Sequence, residues 1–261
     1  MKYKTLLFDI QGSVAKLTLN RPEVKNAINL DMTKELMDAA LRCMQDSTIR
    51  AVLITGSGAM FCPGGDIKAF IGEGKNMTYY MREMTTYLHT GLSYLTHMDA
   101  PVVAAVNGAA AGAGMSLALA SDIVIAATSA RFTMAYTRIG LTPDGGSTYF
   151  LSRAVGLKRA LELVLTNREL SAQEAFDLGI VTRVVPDSEL LVQAEAIATQ
   201  LAAGATKALG ASKRLLHRGW VETLETQMEN ESQTIADIAS TPDAQEATAA
   251  FLEKRKPEFR G

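Results

Sequence analysis

Residues 107–116 read Asn-Gly-Ala-Ala-Ala-Gly-Ala-Gly-Met-Ser, a run of very small side chains. The apolar segment 101–106 before it predicts a buried strand, and the apolar segment 115–120 after it predicts a helix. A junction with few Cβ atoms lets another molecule approach the backbone closely. The first N–H groups of a helix lack partners inside the helix and lie at the positive end of its dipole. The junction is therefore suited to hold a negatively charged oxygen.

A second glycine-bearing loop supports this interpretation. Residues 61–67 read Phe-Cys-Pro-Gly-Gly-Asp-Ile, follow a strand-like run at 51–55 and lead towards a helix. Small residues at such junctions also let a helix pack tightly on a sheet, so one loop alone indicates little. Two loops in one domain can each supply one N–H to the same oxygen, and two converging donors form an oxyanion hole.

Strands and helices alternate through the first two-thirds of the chain, which favours an α/β core with parallel strand pairing. Residues 3–20 predict a β-hairpin, and the polar stretch 72–80, with two glycines, predicts a mobile loop. Further strands are expected near 122–126, 131–134 and 181–185. Helices are expected near 29–45, 77–97, 157–165, 171–178, 187–203, 206–218, 220–239 and 242–254.

The composition excludes several functional classes. The 261 residues are 48% hydrophobic and carry a formal net charge of −2, so nothing indicates nucleic acid or a membrane surface as a partner. Cys43 and Cys62 show no metal-ligand spacing and form no disulfide framework. Asn107 and three glycines interrupt the apolar stretch 101–121, which argues against a membrane span. With no signal-peptide pattern at the start, a cytoplasmic location is expected.

Taken in order, the motifs resemble the enoyl-CoA hydratase/isomerase (crotonase) superfamily over essentially the whole chain. The matching segments include Asn20-Arg21-Pro22, Asn26-Ala27, Ile54-Thr55-Gly56, Phe61 to Ile67, Asn107-Gly108, Ser121-Asp122, Ala130-Arg131-Phe132, Leu170-Ser171-Ala172 and Phe251 to Arg255. The resemblance implies a ββα spiral core over 1–200 and a C-terminal helical region over 201–261 that assembles homotrimers or hexamers. It also implies an acyl-CoA thioester substrate, with no separate cofactor and no metal.

The resemblance also assigns site residues. The N–H groups of Gly65 and Ala113 match the oxyanion donors, which bind the thioester oxygen as it becomes an enolate. The positions that match CoA-contacting segments are Val24, Asn26, Ala27, Asp66 and Ile67, together with Phe251 and Lys254, which reach CoA from a neighbouring subunit. The cationic stretch 254–256 would suit a phosphate, although such a run is more often solvated surface.

The sequence departs from the family's hydratases at the acid–base positions. Where those enzymes have two glutamates, this chain has Ser116 and Tyr136, and addition of water needs a positioned base and acid. Asp144 is a carboxylate where the hydratases have glycine, which resembles the isomerase branch, including 1,2-epoxyphenylacetyl-CoA isomerases. A single carboxylate opposite an oxyanion hole suits a 1,3-proton shift, so we expect Asp144 to act as the base of an acyl-CoA isomerase.

Alternatives remain at three residues. Asp144 can also cap the helix that follows it, and Tyr136 can bind substrate, although simple filling of the pocket is favoured. His89 matches a helix position at which the related 4-chlorobenzoyl-CoA dehalogenase has a water-activating histidine, with an aspartate nucleophile at the position of Asp144. A lone histidine on a helix is more often a packing or surface residue. An aryl-CoA dehalogenase or hydrolase, an enoyl-CoA hydratase and a non-catalytic family member are therefore the competing hypotheses.

Overall fold

The computed structural model describes residues 3–261, and in these residues strands and helices alternate as the sequence predicts. The strands are β1 (Leu6–Gln11), β2 (Val14–Leu19), β3 (Ala51–Gly56), β4 (Val102–Val106), β5 (Ala109–Ala111), β6 (Ile123–Ala127), β7 (Arg131–Thr133), β8 (Leu170–Ser171) and β9 (Arg183–Val185). The helices are α1 (Leu30–Gln45), α2 (Ile67–Gly72), α3 (Met77–His97), α4 (Ala113–Leu119), α5 (Ser147–Val155), α6 (Leu157–Thr166), α7 (Ala172–Asp177), α8 (Leu190–Ala202), α9 (Thr206–Gly219), α10 (Leu224–Ala239) and α11 (Pro242–Glu253).

Two sheets divide the strands between them. The larger sheet has the order β1-β2-β3-β4-β6-β9, and all its pairs are parallel except the β1–β2 hairpin. The smaller sheet has the order β5-β7-β8. The segments β4-β5-α4 and β6-β7-α5 each place one strand in each sheet before a helix. The expected α/β class and its ββα repeat are therefore confirmed.

The larger sheet is covered on both faces, as its nearly unbroken apolar strands require. Leu53 and Val103 lie on one face and pack with Ala194 and Ala198 of α8. Alternate residues of the same strands point the other way, where they join the larger core with helices α1 and α3. The candidate site lies on this second side, beyond the carboxyl ends of β3 and β4.

A backbone bridge joins the two glycine loops directly. The N–H of Cys62 donates to the carbonyl of Ala109 at 3.0 Å, and the N–H of Ala111 donates to the carbonyl of Cys62 at 2.9 Å. Glycines make this approach possible, because a Cβ at Gly108 would overlap the carbonyl oxygen of Ala59 and a Cβ at Gly114 would overlap that of Cys62. The small residues therefore serve loop-to-loop contact as well as access for a ligand.

One buried lysine anchors the C-terminal helices to the core. Lys213 of α9 donates to the carbonyl oxygens of Leu95 and Ala100 at 3.1 and 3.2 Å and to Oδ2 of Asp122 at 3.0 Å. Burial lowers the pKa of Lys213, and the negative charge of Asp122 opposes that effect. The bonds hold α9 against the end of α3 and the start of β4.

Three local predictions need correction. The mobile loop expected over 72–80 is wrong, because α2 runs to Gly72, a 3₁₀ turn covers Gly74–Asn76 and α3 begins at Met77. Tyr80 and Met84 are one helical turn apart and both buried, so core packing outweighs the local glycine content. The short strand β5 lies within the glycine run, where no strand was expected. Helix α10 begins at Leu224 rather than at 220, with Thr223 as its N-cap.

The proposed domain division stays a prediction. Its boundary after residue 200 falls within the last turn of α8, which ends at Ala202. None of the helices that the structure describes is long and apolar enough to cross a membrane.

We expect Gly108→Ala to lower the free energy of unfolding by about 1–3 kcal/mol, the usual cost of overpacking a close contact. The added methyl group would overlap backbone atoms, which cannot move aside as a flexible side chain can. Urea unfolding monitored by circular dichroism measures the effect. Gly72→Ala is the matched control, since open space surrounds that position and its φ is not positive. The control should be neutral or stabilising by up to about 1 kcal/mol, and equal losses in both variants would contradict the argument.

Candidate active site

A cavity of about 330 Å³ lies between the two glycine loops, α3 and the segment 135–144. Its wall is mostly apolar and includes Phe70, Met81, Met84, Leu88, Ile139 and Leu141. Gly65, Ala113 and Asp144 all line this cavity. The structure therefore brings together both expected oxyanion donors and the expected base.

Both candidate donor groups are free to bind a ligand. Among the described residues, neither the N–H of Gly65 nor that of Ala113 donates to a protein acceptor. Ala113 is the first residue of α4, so its N–H lies at the positive end of the helix. The two loops meet closely, since a Cβ on Gly64 would lie 3.5 Å from the nitrogen of Ala113 and 3.1 Å from the carbonyl oxygen of Ala111.

Cys62 supports the first loop and is not a nucleophile. Its Sγ accepts the N–H of Gly64 at 3.4 Å, and the residue is completely buried. Burial raises the pKa of the Cys62 thiol to about 12, so the reactive thiolate is not populated near neutral pH. Within the described part of the chain, no three His, Cys, Asp or Glu side chains form a group that could hold a metal ion.

Asp144 presents its carboxylate to the cavity. Its Oδ1 accepts the hydroxyl proton of Tyr136 at 2.5 Å, and its Oδ2 lies 3.9 Å from Nε2 of His89. The alternative role of Asp144 as a helix cap is wrong for its side chain. Gly146 is the N-cap of α5, and it is the backbone carbonyl of Asp144 that accepts from Ser147.

The sequence favours simple pocket filling for Tyr136, but its hydroxyl also makes hydrogen bonds. Its ring lines the cavity, while its hydroxyl lies 2.5 Å from Oδ1 of Asp144 and 2.9 Å from Oγ of Ser116. Burial, followed by the charge of Asp144, raises the pKa of the Tyr136 phenol well above its ordinary value. The phenol therefore stays protonated and remains a hydrogen-bond donor to the carboxylate.

His89 reaches the candidate base from α3. Its Nε2 accepts the N–H of Gly145 at 3.0 Å, and about half of its side chain is exposed. A ring nitrogen that accepts a hydrogen bond carries no proton, so this contact fits the neutral tautomer with its proton on Nδ1. The histidine therefore supports the loop that carries Asp144.

The expected CoA segment is held to the first glycine loop by Arg21. Its Nη1 donates to the carbonyl of Ala27 at 2.6 Å and to Oδ2 of Asp66 at 2.9 Å. Asp66 is also the N-cap of α2, where its side chain accepts the N–H of Ala69. Ile67, the first residue of α2, is partly exposed and lines the cavity.

Asn26 is completely buried, and its side chain is occupied by the protein. Its amide group donates to the carbonyls of Ser57, Met60 and Phe61 at 2.9, 2.8 and 3.2 Å. Its side-chain oxygen accepts the N–H of Arg21. Asn26 therefore shapes the approach to the first glycine loop without offering its side chain to a ligand.

The remaining expected CoA contacts lie outside the cavity lining. Val24 ends a 3₁₀ turn and is half-buried, whereas Phe251 is 82% exposed and Lys254 ends α11 on the surface. Arg255 pairs with Glu246 at 2.6 Å, so the charge of the cationic stretch is partly neutralised within the chain. Contact of Phe251 and Lys254 with CoA across a subunit boundary remains a prediction.

Two arrangements of side chains at the candidate site are not predicted by the sequence. The first is the support that Arg21 gives to Ala27 and Asp66, although Arg21 was noted as part of a family motif. The second is the bonding of Ser116 and Tyr136 to Asp144. Ser116 and Tyr136 stand where the family's hydratases have glutamates, and that replacement is the sequence signal that could have indicated a polar role for them.

The chain is similar to known proteins in both sequence and fold. The model of the enoyl-CoA hydratase/isomerase family matches residues 9–261. A probable enoyl-CoA hydratase of Rhodobacter capsulatus is 42% identical over 261 residues and covers 100% of both chains. The 1,2-epoxyphenylacetyl-CoA isomerase of Escherichia coli is 38% identical over 260 residues and covers 98% of each chain. The crystal structure of an enoyl-CoA hydratase from Polaromonas sp. JS666 is 36% identical, with a TM-score of 0.93 over 98% of this chain and 99% of that chain.

We expect the stabilising contribution of Tyr136 to decline as the pH rises above 10, the ordinary pKa of a tyrosine. The unfolded chain releases the proton near that pH, whereas the folded protein retains it because the pKa of Tyr136 is raised. Tyr136→Phe lacks this contribution. The difference in unfolding free energy between wild type and variant should therefore shrink from about pH 8 to about pH 11 in urea titrations. Tyr3 and Tyr80 are common to both proteins and cancel, and a difference independent of pH would contradict the buried, protonated phenol.

Proposed function

The chain belongs to the enoyl-CoA hydratase/isomerase family, and on that basis we propose that it is an acyl-CoA isomerase that moves a carbon–carbon double bond by 1,3-proton transfer. Asp144 is the base, and the N–H groups of Gly65 and Ala113 hold the thioester oxygen. One observation carries the proposal: Asp144 is the one carboxylate among the described residues that line the cavity, and both free N–H groups line the same cavity.

The reaction proceeds in two proton transfers. Asp144 removes a proton from the carbon next to the thioester carbonyl, and the electron pair of that C–H bond delocalises onto the carbonyl oxygen. The two N–H groups stabilise the resulting enolate, and one donor of this kind is worth roughly 3–4 kcal/mol of barrier. Asp144 then returns the proton two carbons further along the acyl chain, which leaves the double bond conjugated with the thioester.

The apolar wall suits the acyl chain. Phe70, Met84 and Leu88 offer no hydrogen bonds, which favours a hydrocarbon or aromatic group next to the reacting carbons. We place the CoA portion along Val24, Ala27 and Ile67, with Phe251 and Lys254 supplied by a neighbouring subunit of a trimer or hexamer. CoA is part of the substrate, and the proposed chemistry needs no other cofactor.

Hydration of enoyl-CoA is the second candidate reaction. One similar protein is a probable enoyl-CoA hydratase of Rhodobacter capsulatus, and another is an enoyl-CoA hydratase from Polaromonas sp. JS666. A hydratase needs one group to deprotonate water and another to protonate carbon. At the two positions where the family's hydratases have glutamates, this chain offers the hydroxyls of Ser116 and Tyr136, which bond to each other. This arrangement favours the isomerase.

A dehalogenase or hydrolase would need His89 as a base for water. Nε2, the ring nitrogen nearest Asp144, already accepts the N–H of Gly145. Its lone pair is therefore engaged in supporting the loop, which disfavours this reaction. His89→Ala tests the hypothesis, since release of halide or CoA that disappears in this variant would favour it.

Purified protein should convert 3-hexenoyl-CoA into its conjugated 2-enoyl isomer much faster than it hydrates crotonyl-CoA, because the cavity supplies a single carboxylate. The absorbance of the conjugated thioester follows both reactions, appearing in the first and disappearing in the second. Faster hydration would reverse the assignment in favour of the hydratase. Failure of both reactions, while an aryl-CoA or epoxide ester is converted, would restrict the substrate to those classes.

Asp144→Asn should lower isomerase turnover by at least about 100-fold, because the amide cannot accept a proton from carbon. Binding of the CoA ester, measured by calorimetry, should persist, since the oxyanion donors and the apolar wall are unchanged. Asp177→Asn, the same change at an exposed position on α7, is the matched control and should retain full activity. Turnover that survives in Asp144→Asn would remove Asp144 from the mechanism.

A further inference from the structure

Three side chains from separate parts of the chain form one continuous hydrogen-bonded series beside the cavity. Oγ of Ser116 lies 2.9 Å from Oη of Tyr136, and Oη of Tyr136 lies 2.5 Å from Oδ1 of Asp144. Ser116 is completely buried on α4, Tyr136 begins a 3₁₀ turn, and Asp144 lies in the loop before α5. The series therefore joins the helix of the second donor to the loop of the proposed base.

We propose that Ser116 and Tyr136 are positioning residues that hold Asp144 through Oδ1, so that Oδ2 is the oxygen that takes and returns the proton. This inference rests on the proposed function, in which Asp144 is the base. It replaces the pocket-filling interpretation of Tyr136 with a directional role, and it assigns a role to Ser116.

The number of hydroxyl protons determines which group donates and which accepts in each hydrogen bond of the series. A carboxylate can only accept, so the single proton of the Tyr136 hydroxyl goes to Oδ1 of Asp144. The phenol oxygen is then an acceptor, and Ser116 can donate to it. Oγ of Ser116 also lies 3.0 Å from the carbonyl oxygen of Asp144 and 3.2 Å from that of Gly112, so its single proton is shared among three acceptors, of which Oη of Tyr136 is the nearest. Hydrogen bonds in series polarise and strengthen one another.

The backbone before Tyr136 is held in a sparsely populated conformation. Ala135 has a φ of +53°, in the left-handed region that residues with a Cβ seldom adopt. Such strain persists only where surrounding contacts impose it, and it clusters at functional sites. The N–H of Leu141 donates to the carbonyl of Tyr136 at 3.1 Å and closes the turn. These constraints direct the ring towards Asp144.

The loop of the base also fits closely against Ser116. A Cβ on Gly145 would lie 2.8 Å from Cβ of Ser116, so Gly145 allows the contact between Asp144 and α4. The other titratable group facing the carboxylate is His89, whose Nε2 is 3.9 Å from Oδ2. Arg138 lines the same cavity and donates to the carbonyl of Asn167. Within the described chain, Tyr136 is thus the side chain that hydrogen-bonds the carboxylate.

The hydrogen bond from Tyr136 restricts the rotation of the Asp144 carboxylate. A free carboxylate turns about its χ2 angle and presents either oxygen to the substrate. With Oδ1 engaged by Tyr136, that rotation is restricted, and Oδ2, which accepts no hydrogen bond from the described residues, is the oxygen left to exchange a proton. Fixed geometry of this kind lowers the entropic part of a proton-transfer barrier.

Tyr136→Phe tests the proposal. We expect kcat for 3-hexenoyl-CoA to fall by about 10- to 100-fold, the usual loss when a hydrogen-bonding support of a functional group is removed, with KM changed less than about twofold. Ser116→Ala should lower kcat in the same way by a smaller amount, again with little change in KM.

Tyr3→Phe is the matched control, because Oη of Tyr3, which precedes β1, donates to Oδ2 of Asp38 on α1 at 2.6 Å, and neither residue lines the cavity. It removes the same kind of bond and should leave both kcat and KM unchanged. An unchanged kcat in Tyr136→Phe would overturn the proposal, as would losses confined to KM. If Tyr136→Phe does not fold, Ser116→Ala decides by the same readouts. Asp144→Asn separates the two proposals. If this variant retains activity, Asp144 is not the base and the proposed function itself fails, whatever the result for Tyr136→Phe.

Discussion

The backbone bridge between Cys62 and the segment 109–111 is the interaction on which the site depends. Gly65 follows the bridge on one loop and Ala113 follows it on the other, so the separation of their N–H groups is set by main-chain geometry. A side chain at Gly108 or Gly114 would separate the two loops, because its Cβ would overlap a backbone carbonyl oxygen. The two candidate donors are thus held in place by the main chain, which is the condition under which fixed dipoles are most effective.

The opposite side of the cavity is built differently. Asp144 lies on a glycine-rich loop, and Gly140, Gly145 and Gly146 all have positive φ. This loop takes its shape from side-chain contacts: Tyr136 and Ser116 on the carboxylate and its backbone, and His89 on the next N–H. Ser116 connects both sides, because it lies on the helix that begins with Ala113.

Much of the fold could be predicted from local patterns. The hairpin, the parallel strands and most helices have apolar periodicity and caps such as Asn29, whose side chain accepts the N–H of Met32. Strand β5 was missed because Ala109–Ala111 becomes a strand only through its distant partner Arg131–Thr133. The segment 72–80 was assigned as a loop from its glycines, whereas burial of Tyr80 and Met84 makes most of it helical.

The small residues, one acidic residue and the family resemblance are enough to predict that Gly65, Ala113 and Asp144 share a site, and all three line one cavity. The hydrogen bond from Tyr136 to Asp144 could not be predicted from the sequence. It depends on a turn with positive φ at Ala135, which no sequence pattern indicates. Likewise, a motif containing Arg21 cannot reveal that its guanidinium group binds Asp66, 45 residues further along the chain.

The contrast between main-chain donors and side-chain acid–base groups has an evolutionary consequence. A point mutation replaces a side chain but leaves the peptide N–H in place, so the donors at Gly65 and Ala113 withstand most substitutions that keep the loops folded. Exchanges at Ser116, Tyr136 or Asp144 change either the proposed base or the hydrogen bonds that hold it. A few codon changes can therefore replace the side chains around this cavity while the two main-chain N–H groups stay in place.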